Sequence, residues 1–328
     1  MAQARTAVVC FGEALIDFLG GPAEPGAPRC FLAQPGGAPA NVAVGVARLG
    51  GRARFVGMLA TDLFGDALLE ALRAHGVDVA QVRRTADAPT ALAFVSLDAG
   101  GERSFSFYRP PAADLLFRAQ DFDEAAFADA AVFHVCSNSL TEPAIAGATL
   151  HGMARAAAAG ALVSLDLNLR PALWPRGADP RPVLWRALAL ARLVKLSREE
   201  LAFLATASDE DATIARLLGE AAEAVVVTDG PAPVRWWTRA RAGTAPTCPV
   251  DAVDTTAAGD GFVAGLLWRL TARGIGPGDL AAAFEDDAVR ADLLRHAAAA
   301  GALATTRHGA FAAMPDADAV RALTGTAR

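Results

Sequence analysis

Short apolar runs alternate with longer helix-forming segments along most of this chain. Ala131–Cys136 reads as a buried strand, Pro143–Ala159 as a helix that ends at a glycine, and Leu162–Asp166 as the next strand. Two parallel strands cannot be joined by a tight turn and need a crossover, which is usually a helix. The alternation therefore predicts an α/β fold, a three-layer sandwich whose mostly parallel central sheet is flanked by helices.

Two segments, at about residues 12–35 and 90–115, do not follow this alternation. In the second, Thr90–Leu97 and Ser104–Tyr108 flank Asp98-Ala99-Gly100-Gly101, which is typical of a β-hairpin. In the first, the Gly- and Pro-rich stretch Gly20–Pro28 predicts a turn between two strands. Together they predict a small β-sheet lid inserted in a single domain that spans residues 1–328.

Composition excludes several classes of function. The formal net charge is −6 and no Lys/Arg-rich run is present, so neither a nucleic acid nor a membrane surface is an expected partner. No apolar run reaches the length of about 18 residues that a membrane span needs. The segment Met1–Asp17 lacks the pattern of a signal peptide, so we expect a cytoplasmic protein. The spacing of the cysteines and histidines predicts no zinc site and no disulfide framework.

The segment Asp254–Gly261 predicts a phosphate site. Its small residues run directly into an apolar helix, and the first turn of a helix offers unpaired N–H groups and the positive end of the helix dipole. Asp260 would lie at the edge of such an anion hole, where a carboxylate stays ionised and can accept a proton. The same residues fit an ordinary helix start equally well. No Walker-type phosphate loop occurs in the chain.

A second segment, Gly36-Gly37-Ala38-Pro39-Ala40-Asn41, precedes another predicted helix. Paired glycines permit a ligand to approach the backbone closely, and Asn41 offers a donor and an acceptor to a polyol. Asp17 alternates with apolar residues and can accept hydrogen bonds from two hydroxyl groups. Taken alone, this segment also fits a capped helix with a solvent-facing aspartate.

A few residue types are rare in this Ala- and Arg-rich chain. It has one lysine, Lys195, and three asparagines, Asn41, Asn138 and Asn168. A lysine is a compact point charge that an arginine does not replace, so a rare lysine indicates a place where that chemistry is needed. Survival by chance is the alternative, and Asn138 in particular also fits a turn after a strand.

The two segments, in this order and spacing, resemble the two signatures of the ribokinase-like, phosphofructokinase-B-type carbohydrate kinases. The resemblance covers nearly the whole chain, and among subgroups the bacterial fructokinases are the most similar. That comparison rests on four further stretches: Phe11–Asp17, Glu102–Arg109, Asp166–Pro171 and Val194–Ser197. The resemblance implies an ATP-dependent kinase that phosphorylates a sugar hydroxyl and uses ATP and Mg²⁺.

The resemblance also implies a role for individual residues. Asp260 would be the catalytic base, and the anion hole would be formed by Ala257, Ala258 and Gly259. The sugar would be held by Asp17, Gly36, Gly37, Asn41, Phe107, Arg109, Asn138, Asp166, Asn168 and Arg170, with the 90–115 hairpin closing over it. The nucleotide would lie near Lys195, Thr228, Gly230 and Ala298. Glu200 would order water around Mg²⁺, although Ser197-x-x-Glu200 also reads as a helix capping box.

The chain departs from the family pattern at three places. Ala257 stands where the first anion-hole glycine is usual, Pro233 ends a Thr-x-Gly-x-x-Gly pattern, and Ala298 replaces an asparagine beside the adenine. Alanine keeps its backbone N–H, so the anion hole can survive, whereas adenine recognition is expected to be weaker or mainly apolar.

Three functions remain open from the sequence. Fructose phosphorylation to fructose 6-phosphate leads; 2-keto-3-deoxygluconate phosphorylation is the nearest rival, because Arg109 or Arg170 offers the cation that an acidic substrate needs. A non-catalytic sugar-binding or regulatory protein on the same fold is the alternative of another class. The exposed sheet of the lid predicts a homodimer formed through it.

Overall fold

A computed structural model describes residues 5–20, 28–97, 103–205 and 209–325. Within them, the strands in chain order, numbered β1 to β13, are Ala7–Phe11, Leu15–Gly20, Phe31–Gly36, Arg52–Ala60, Val82–Thr85, Leu92–Leu97, Arg103–Tyr108, Ala130–Cys136, Leu162–Asp166, Leu193–Ser197, Ala224–Thr228, Val234–Trp237 and Ala242–Ala245. The α-helices, numbered α1 to α10, are Ala38–Arg48, Leu63–Ala74, Pro143–Ala158, Arg181–Leu188, Arg198–Ala205, Glu210–Gly219, Ala258–Ala272, Leu280–Glu285, Asp287–Ala304 and Ala317–Thr324.

Nine of these strands form the central sheet, in the order β13-β12-β11-β10-β9-β8-β1-β4-β5. Every neighbouring pair from β11 to β5 is parallel, and only β12 and β13 run antiparallel at one edge. The predicted mostly parallel α/β sheet is thereby confirmed.

Strand residues alternate between two apolar cores. In β1, Val9 and Phe11 pack on one face of the sheet with helices α3 to α6, while Val8 and Cys10 pack on the other face with α1, α2, α7, α8 and α9. Because successive side chains of a strand point to opposite faces, one apolar strand can serve both helix layers. This arrangement is the three-layer sandwich that the alternation predicts.

The remaining four strands form a small separate sheet in the order β3-β2-β6-β7. Its outer pairs are antiparallel, and the central pair, β2 with β6, is parallel. All four strands lie within the two segments predicted to form a lid, while the predicted turn residues 21–27 and 98–102 lie outside the described residues. No helix among the described residues is long and apolar enough to cross a membrane.

Helices α7 and α9 pack unusually closely, because glycines line their contact. A Cβ atom added to Gly265 would lie 2.7 Å from the Cβ atom of Ala300 and 2.9 Å from the carbonyl oxygen of His296. On the facing helix, a Cβ atom at Gly301 would lie 3.0 Å from the carbonyl oxygen of Ala258. The close approach fixes the N-terminal end of α7 against the rest of the fold.

We expect that Gly265→Ala lowers the free energy of unfolding by about 1–3 kcal/mol, because the added methyl group overpacks the helix contact. Gly147→Ala is the matched control, since Gly147 also lies inside a helix but its added Cβ atom meets nothing within 4 Å. That control should raise stability by about 0.5–1 kcal/mol, the usual gain of Ala over Gly in a helix. Urea unfolding measures both; equal effects would contradict the close packing.

Candidate active site

Polar side chains gather where the parallel strands of the central sheet end. Asn138 follows β8, Asp166 and Asn168 end and follow β9, and Lys195 lies near the end of β10. Their strands are neighbours in the sheet, so residues distant in sequence meet at one edge. Ligands of open α/β sheets bind at this carboxyl edge.

Asp260 lies at the centre of this edge, in the first turn of α7, and is buried. Its two carboxylate oxygens accept hydrogen bonds from two asparagines of different elements: Asn41 Nδ2 donates to Oδ2 at 2.7 Å, and Asn168 Nδ2 donates to Oδ1 at 3.0 Å. Asn168 adopts a left-handed backbone conformation with φ 41°, which asparagine tolerates better than most residues. The carboxylate is therefore held from both sides.

The entrance of α7 is built from small residues. Ala257 precedes the helix with φ 58° and ψ 15°, a left-handed conformation, and the helical residues Ala258 and Gly259 follow it. A left-handed residue next to helical ones is the backbone pattern of an anion-binding nest. The N–H of Ala258 donates at 3.3 Å to the carbonyl oxygen of Thr255. A Cβ atom at Gly259 would lie 3.2 Å from the ammonium nitrogen of Lys195. The single lysine of the chain thus lies directly beside the helix entrance.

Lys195 is buried and forms an ion pair with Asp166, with Nζ 3.1 Å from Oδ1. The two residues are paired across neighbouring strands in the sheet register. Burial works against the charged form of the lysine, but the carboxylates of Asp166 and Glu200 outweigh it and raise its pKa. Lys195 therefore carries its positive charge into the site.

Asp17, on β2 of the small sheet, faces the same site. A Cβ atom at Gly36, on the neighbouring strand, would lie 2.2 Å from its Oδ2 atom, so only glycine leaves room for this carboxylate. Gly37 follows with φ 104°, and a Cβ atom there would lie 2.7 Å from the carbonyl oxygen of Glu13. The paired glycines are thus required by the close approach of Asp17 and of the backbone at Glu13.

Burial raises the pKa of both Asp17 and Asp260, and a neighbouring acid adds to each shift: Asp260 to that of Asp17, and Asp166 to that of Asp260. Burial, followed by the charge of Asp260, raises the pKa of Asp17 to about 7, and the cation of Arg170 opposes this shift. Burial likewise raises the pKa of Asp260 to about 6, with Asn41, Arg170 and Lys195 favouring the ionised form. Arg170 itself is exposed, so it balances these charges from the rim of the site.

A second group of polar residues surrounds Glu13. The sequence predicts a site role for Asn138 in this group but none for Glu13. This carboxylate is buried, and its Oε1 atom accepts hydrogen bonds from the backbone N–H of Ala38 at 3.3 Å and from Asn138 Nδ2 at 3.0 Å. Glu13 was not singled out, although a glutamate between Gly12 and an apolar run was a signal for a buried acid. It ties the start of α1 to the turn after β8.

Arg109 does not project as a free cation. Its guanidinium forms a buried ion pair with Asp114, with Nε 2.9 Å from Oδ2, and its Nη2 atom donates to the carbonyl oxygen of Asn138 at 3.0 Å. Asp114, in the short 3₁₀ helix Ala113–Leu116 after β7, was also missed by sequence reasoning. The predicted neighbour Phe107 is half-buried and packs against the core of the large sheet.

Glu200 forms the capping box that its spacing from Ser197 predicts. The N–H of Ser197 donates to Oε2 at 2.7 Å, and the N–H of Glu200 donates to the hydroxyl of Ser197 at 3.2 Å. Its other oxygen, Oε1, accepts from the N–H of Leu169 at 2.8 Å. Each carboxylate oxygen is therefore bound to a backbone amide, and the side chain fixes the segment that carries Asn168 and Arg170.

Of the four residues expected near the nucleotide, Lys195 lies beside the helix entrance, and the other three lie at the end of β11, just after it and in α9. Thr228 ends β11 and donates weakly to the carbonyl oxygen of Leu196 at 3.5 Å. Gly230 is exposed with φ 50°. Ala298 is buried in the core that packs α7 and α9 on the sheet. Among the described residues, no hydrogen bond or ion pair joins Thr228, Gly230 or Ala298 to Asp260.

Comparison with known proteins fits this geometry. The family described as pfkB family carbohydrate kinase matches residues 5–317. The chain belongs to the pfkB family of carbohydrate kinases. The predicted resemblance to ribokinase-like kinases is thereby confirmed, and the match covers the helix entrance at Asp260 together with the Gly36–Asn41 segment.

Individual members of the pfkB family are similar over almost the full length. The fructokinase of Klebsiella pneumoniae is 43% identical, covering 93% of this chain and 94% of that protein. Fructokinase with bound ATP from Xylella fastidiosa is 52% identical, with a TM-score of 0.94 and 98% of each chain covered. Fructokinase from Vibrio cholerae O395 in its fructose-, ADP- and calcium-bound form is 34% identical, with a TM-score of 0.86, covering 98% of this chain and 100% of that one.

The raised pKa of Asp17 predicts a pH-dependent stability. Its pKa is about 7 in the folded state and 3.8 as the ordinary value, so the folded protein retains a proton that the unfolded chain releases. The stabilisation that comes from this retained proton is complete below a pH of 3.8, and it is lost as the pH rises to about 7. From about pH 5 to about pH 8, wild-type protein should lose about 2–3 kcal/mol of unfolding free energy relative to Asp17→Asn.

Urea unfolding of both proteins at the two pH values measures this difference. Asp66→Asn is the control, because the Asp66 side chain is 69% exposed. A pH dependence that is the same for wild type and Asp17→Asn would show that Asp17 is ionised throughout.

Proposed function

We propose that this chain is an ATP-dependent fructokinase, which transfers the γ-phosphoryl group of ATP to D-fructose and yields fructose 6-phosphate and ADP. The observation that carries the proposal is the buried Asp260, which two asparagines hold at the small-residue entrance of α7 beside Lys195. The full-length similarity to fructokinases supports the choice of sugar.

In this proposal, Asp260 is the general base. The hydrogen bonds from Asn41 and Asn168 fix the direction of its carboxylate, so the remaining lone pairs are aimed before the sugar arrives. A pKa of about 6 leaves most of this carboxylate ionised at neutral pH, yet basic enough to accept the proton of a hydroxyl group. The proton moves from the reacting hydroxyl of the sugar to the Asp260 carboxylate.

The helix entrance would stabilise the charge of the phosphoryl group during transfer. Phosphoryl transfer depends mainly on positioning and on electrostatic stabilisation of the transferring oxygens. The backbone amides of Ala257, Ala258 and Gly259 and the positive end of α7 supply fixed dipoles, and Lys195 supplies a full charge beside them. Small side chains at these positions leave the backbone accessible to the phosphoryl oxygens.

The sugar would lie between the two sheets. Asp17 is the acceptor for its hydroxyl groups, Gly36 and Gly37 leave the room that Asp17 and the sugar need, and Asn41 contacts both the sugar and Asp260. The remaining residues proposed to line or frame this space are Phe107, Arg109, Asn138, Asp166, Asn168 and Arg170.

ATP would lie along the carboxyl ends of β10 and β11, with Thr228, Gly230 and Ala298 beside it. Mg²⁺ fits this site as an ion held mainly by phosphate and water, which is how it commonly binds in kinases. In the described ranges, no group of three acidic, His or Cys side chains is arranged to hold a metal directly. Glu200 would reach the ion through water only, since backbone amides occupy both of its oxygens. When bound, Mg²⁺ supplies neutralisation of the phosphate charge.

A neutral sugar is favoured over an acidic one. Arg109, which the sequence offered as a partner for a carboxylate, is already paired with Asp114. Arg170 lies near Asp17 and Asp260, at the end where phosphoryl transfer would occur. A coupled ADP-release assay with fructose and 2-keto-3-deoxygluconate compares the two activities, and turnover of neither substrate would favour a non-catalytic protein.

A cytoplasmic location stays a prediction of the sequence.

We expect that Asp260→Asn lowers kcat by about 10²–10⁴-fold, because the amide cannot accept the proton of the sugar hydroxyl. Fructose binding, measured by calorimetry without ATP, should persist. Asp318→Asn is a matched control, since Asp318 also lies in the first turn of a helix but its side chain is 83% exposed, and kcat should be unchanged. Full activity of Asp260→Asn would remove Asp260 from the role of base.

We also propose a homodimer formed through the small sheet. Phe31, Phe94 and Tyr108 form a continuous aromatic surface there, with ring centroids 5.3–5.4 Å apart, and Tyr108 is 66% exposed. Phe31→Glu should shift sedimentation toward the monomer, because a charge in an apolar interface is costly. Leu323→Glu, on α10, is the control and should leave the association state unchanged. A wild-type monomer at working concentration would exclude the dimer.

A further inference from the structure

We propose that Asp114 is a specificity-determining residue, which neutralises Arg109 and thereby keeps the sugar site selective for uncharged sugars over sugar acids. This inference rests on the proposed function and extends it from fructose to a class of substrates: neutral sugars are accepted and sugar acids are disfavoured. The residue acts through Arg109 rather than by touching the sugar.

The ion pair between Arg109 and Asp114 is almost fully buried. Their side chains are only 2% and 4% exposed, and both Nε and Nη2 of the arginine contact Oδ2 of the aspartate. Arg109 follows β7 directly, and Asp114 lies in the 3₁₀ helix five residues later, so the pair is local to the base of the small sheet. A guanidinium used in this way offers little to a carboxylate on a substrate.

Hydrogen bonds connect this ion pair to the proposed sugar site. Arg109 donates to the carbonyl oxygen of Asn138, whose side-chain amide donates to Glu13. The same oxygen of Glu13 accepts from the N–H of Ala38, the residue that follows Gly37. Two hydrogen-bonded residues, Asn138 and Glu13, therefore connect Arg109 to Ala38 in the Gly36–Asn41 segment.

The charges of this group explain the selectivity. Asp114 supplies one negative charge against the single positive charge of Arg109. Burial raises the pKa of the neighbouring Glu13, which favours its neutral form, and the charge of Arg109 only opposes that shift. An incoming carboxylate would meet a buried group that has no surplus positive charge. A neutral ketose has no such penalty, because its hydroxyl groups require only hydrogen-bond partners.

Removal of the Asp114 charge reverses the balance. A buried guanidinium that loses its partner is strongly disfavoured, so it gains most from a new carboxylate. Arginine and a carboxylate form paired, charge-assisted hydrogen bonds, which a hydroxyl group does not match. A sugar acid can supply the missing negative charge, whereas fructose cannot.

The test compares kcat/KM for D-fructose and 2-keto-3-deoxy-D-gluconate in wild type and Asp114→Asn. We expect the ratio of the two values to move toward the acid by at least about tenfold, which corresponds to about 1.4 kcal/mol. Asp129→Asn is the matched control: Asp129 also pairs with a largely buried arginine, Arg54, at 2.8 Å, but it precedes β8 at the opposite edge of the sheet. Its ratio should stay at the wild-type value.

A double variant identifies the cation. Arg109→Met combined with Asp114→Asn removes both charges, so the gain toward the acid should disappear. A gain that persists in the double variant would overturn the role of Arg109, and a ratio within about twofold of wild type in Asp114→Asn would overturn that of Asp114. If Asp114→Asn does not give a cooperative thermal transition, Asp114→Ser replaces it under the same criteria.

Binding measurements separate this inference from the proposed function. Calorimetric titration with each compound, without ATP, gives the ratio of dissociation constants independently of phosphoryl transfer. Absence of turnover on fructose would refute the fructokinase proposal, while a binding ratio that shifts in Asp114→Asn would still support charge selection. Equal binding of both compounds by wild type would refute charge selection, whatever the turnover.

Discussion

The site depends on groups that stabilise the negative charge of one buried carboxylate. Asp260 is removed from water, which disfavours its charged form. Two amide donors, a helix N-terminus and a nearby lysine stabilise that charge. These groups come from α1, the segment after β9, α7 and β10. Any change that displaces α7 would therefore alter the proposed base and the proposed anion hole together, and the glycine-lined contact with α9 packs α7 closely in place.

The small sheet approaches this centre at two places. Asp17 lies over Gly36, and burial together with the charge of Asp260 raises its pKa, whereas burial and the charge of Asp166 raise the pKa of Asp260. At the base of the sheet, Arg109 binds Asp114 and the backbone at Asn138, and Asn138 binds Glu13. The first place brings the sheet close to Asp260, and the second joins the sheet to the start of α1.

Much of the fold could be predicted because periodicity is a local property. The strands predicted at Leu162–Asp166 and Ala131–Cys136 are short apolar runs, and the structure has the first as predicted and the second with one more residue at its start. The helices Arg181–Leu188 and Glu210–Gly219 were not predicted, because one follows a Pro- and Arg-rich stretch and the other begins with charged residues. Their helical state depends on packing against the sheet, where Leu184, Ile214 and Leu217 are buried.

The α/β alternation, the two glycine-containing helix entrances and the significance of the rare residues could be read from the amino-acid order alone. Lys195 and all three asparagines do lie along the carboxyl edge of the sheet, in contact with acids or facing them. The partners of most of these residues follow from the folded arrangement instead. It pairs Arg109 with Asp114, the second oxygen of Glu200 with the N–H of Leu169, and Glu13 with Asn138. The physical reason is that residue type sets what a group can bind, whereas strand order and burial set what lies within reach.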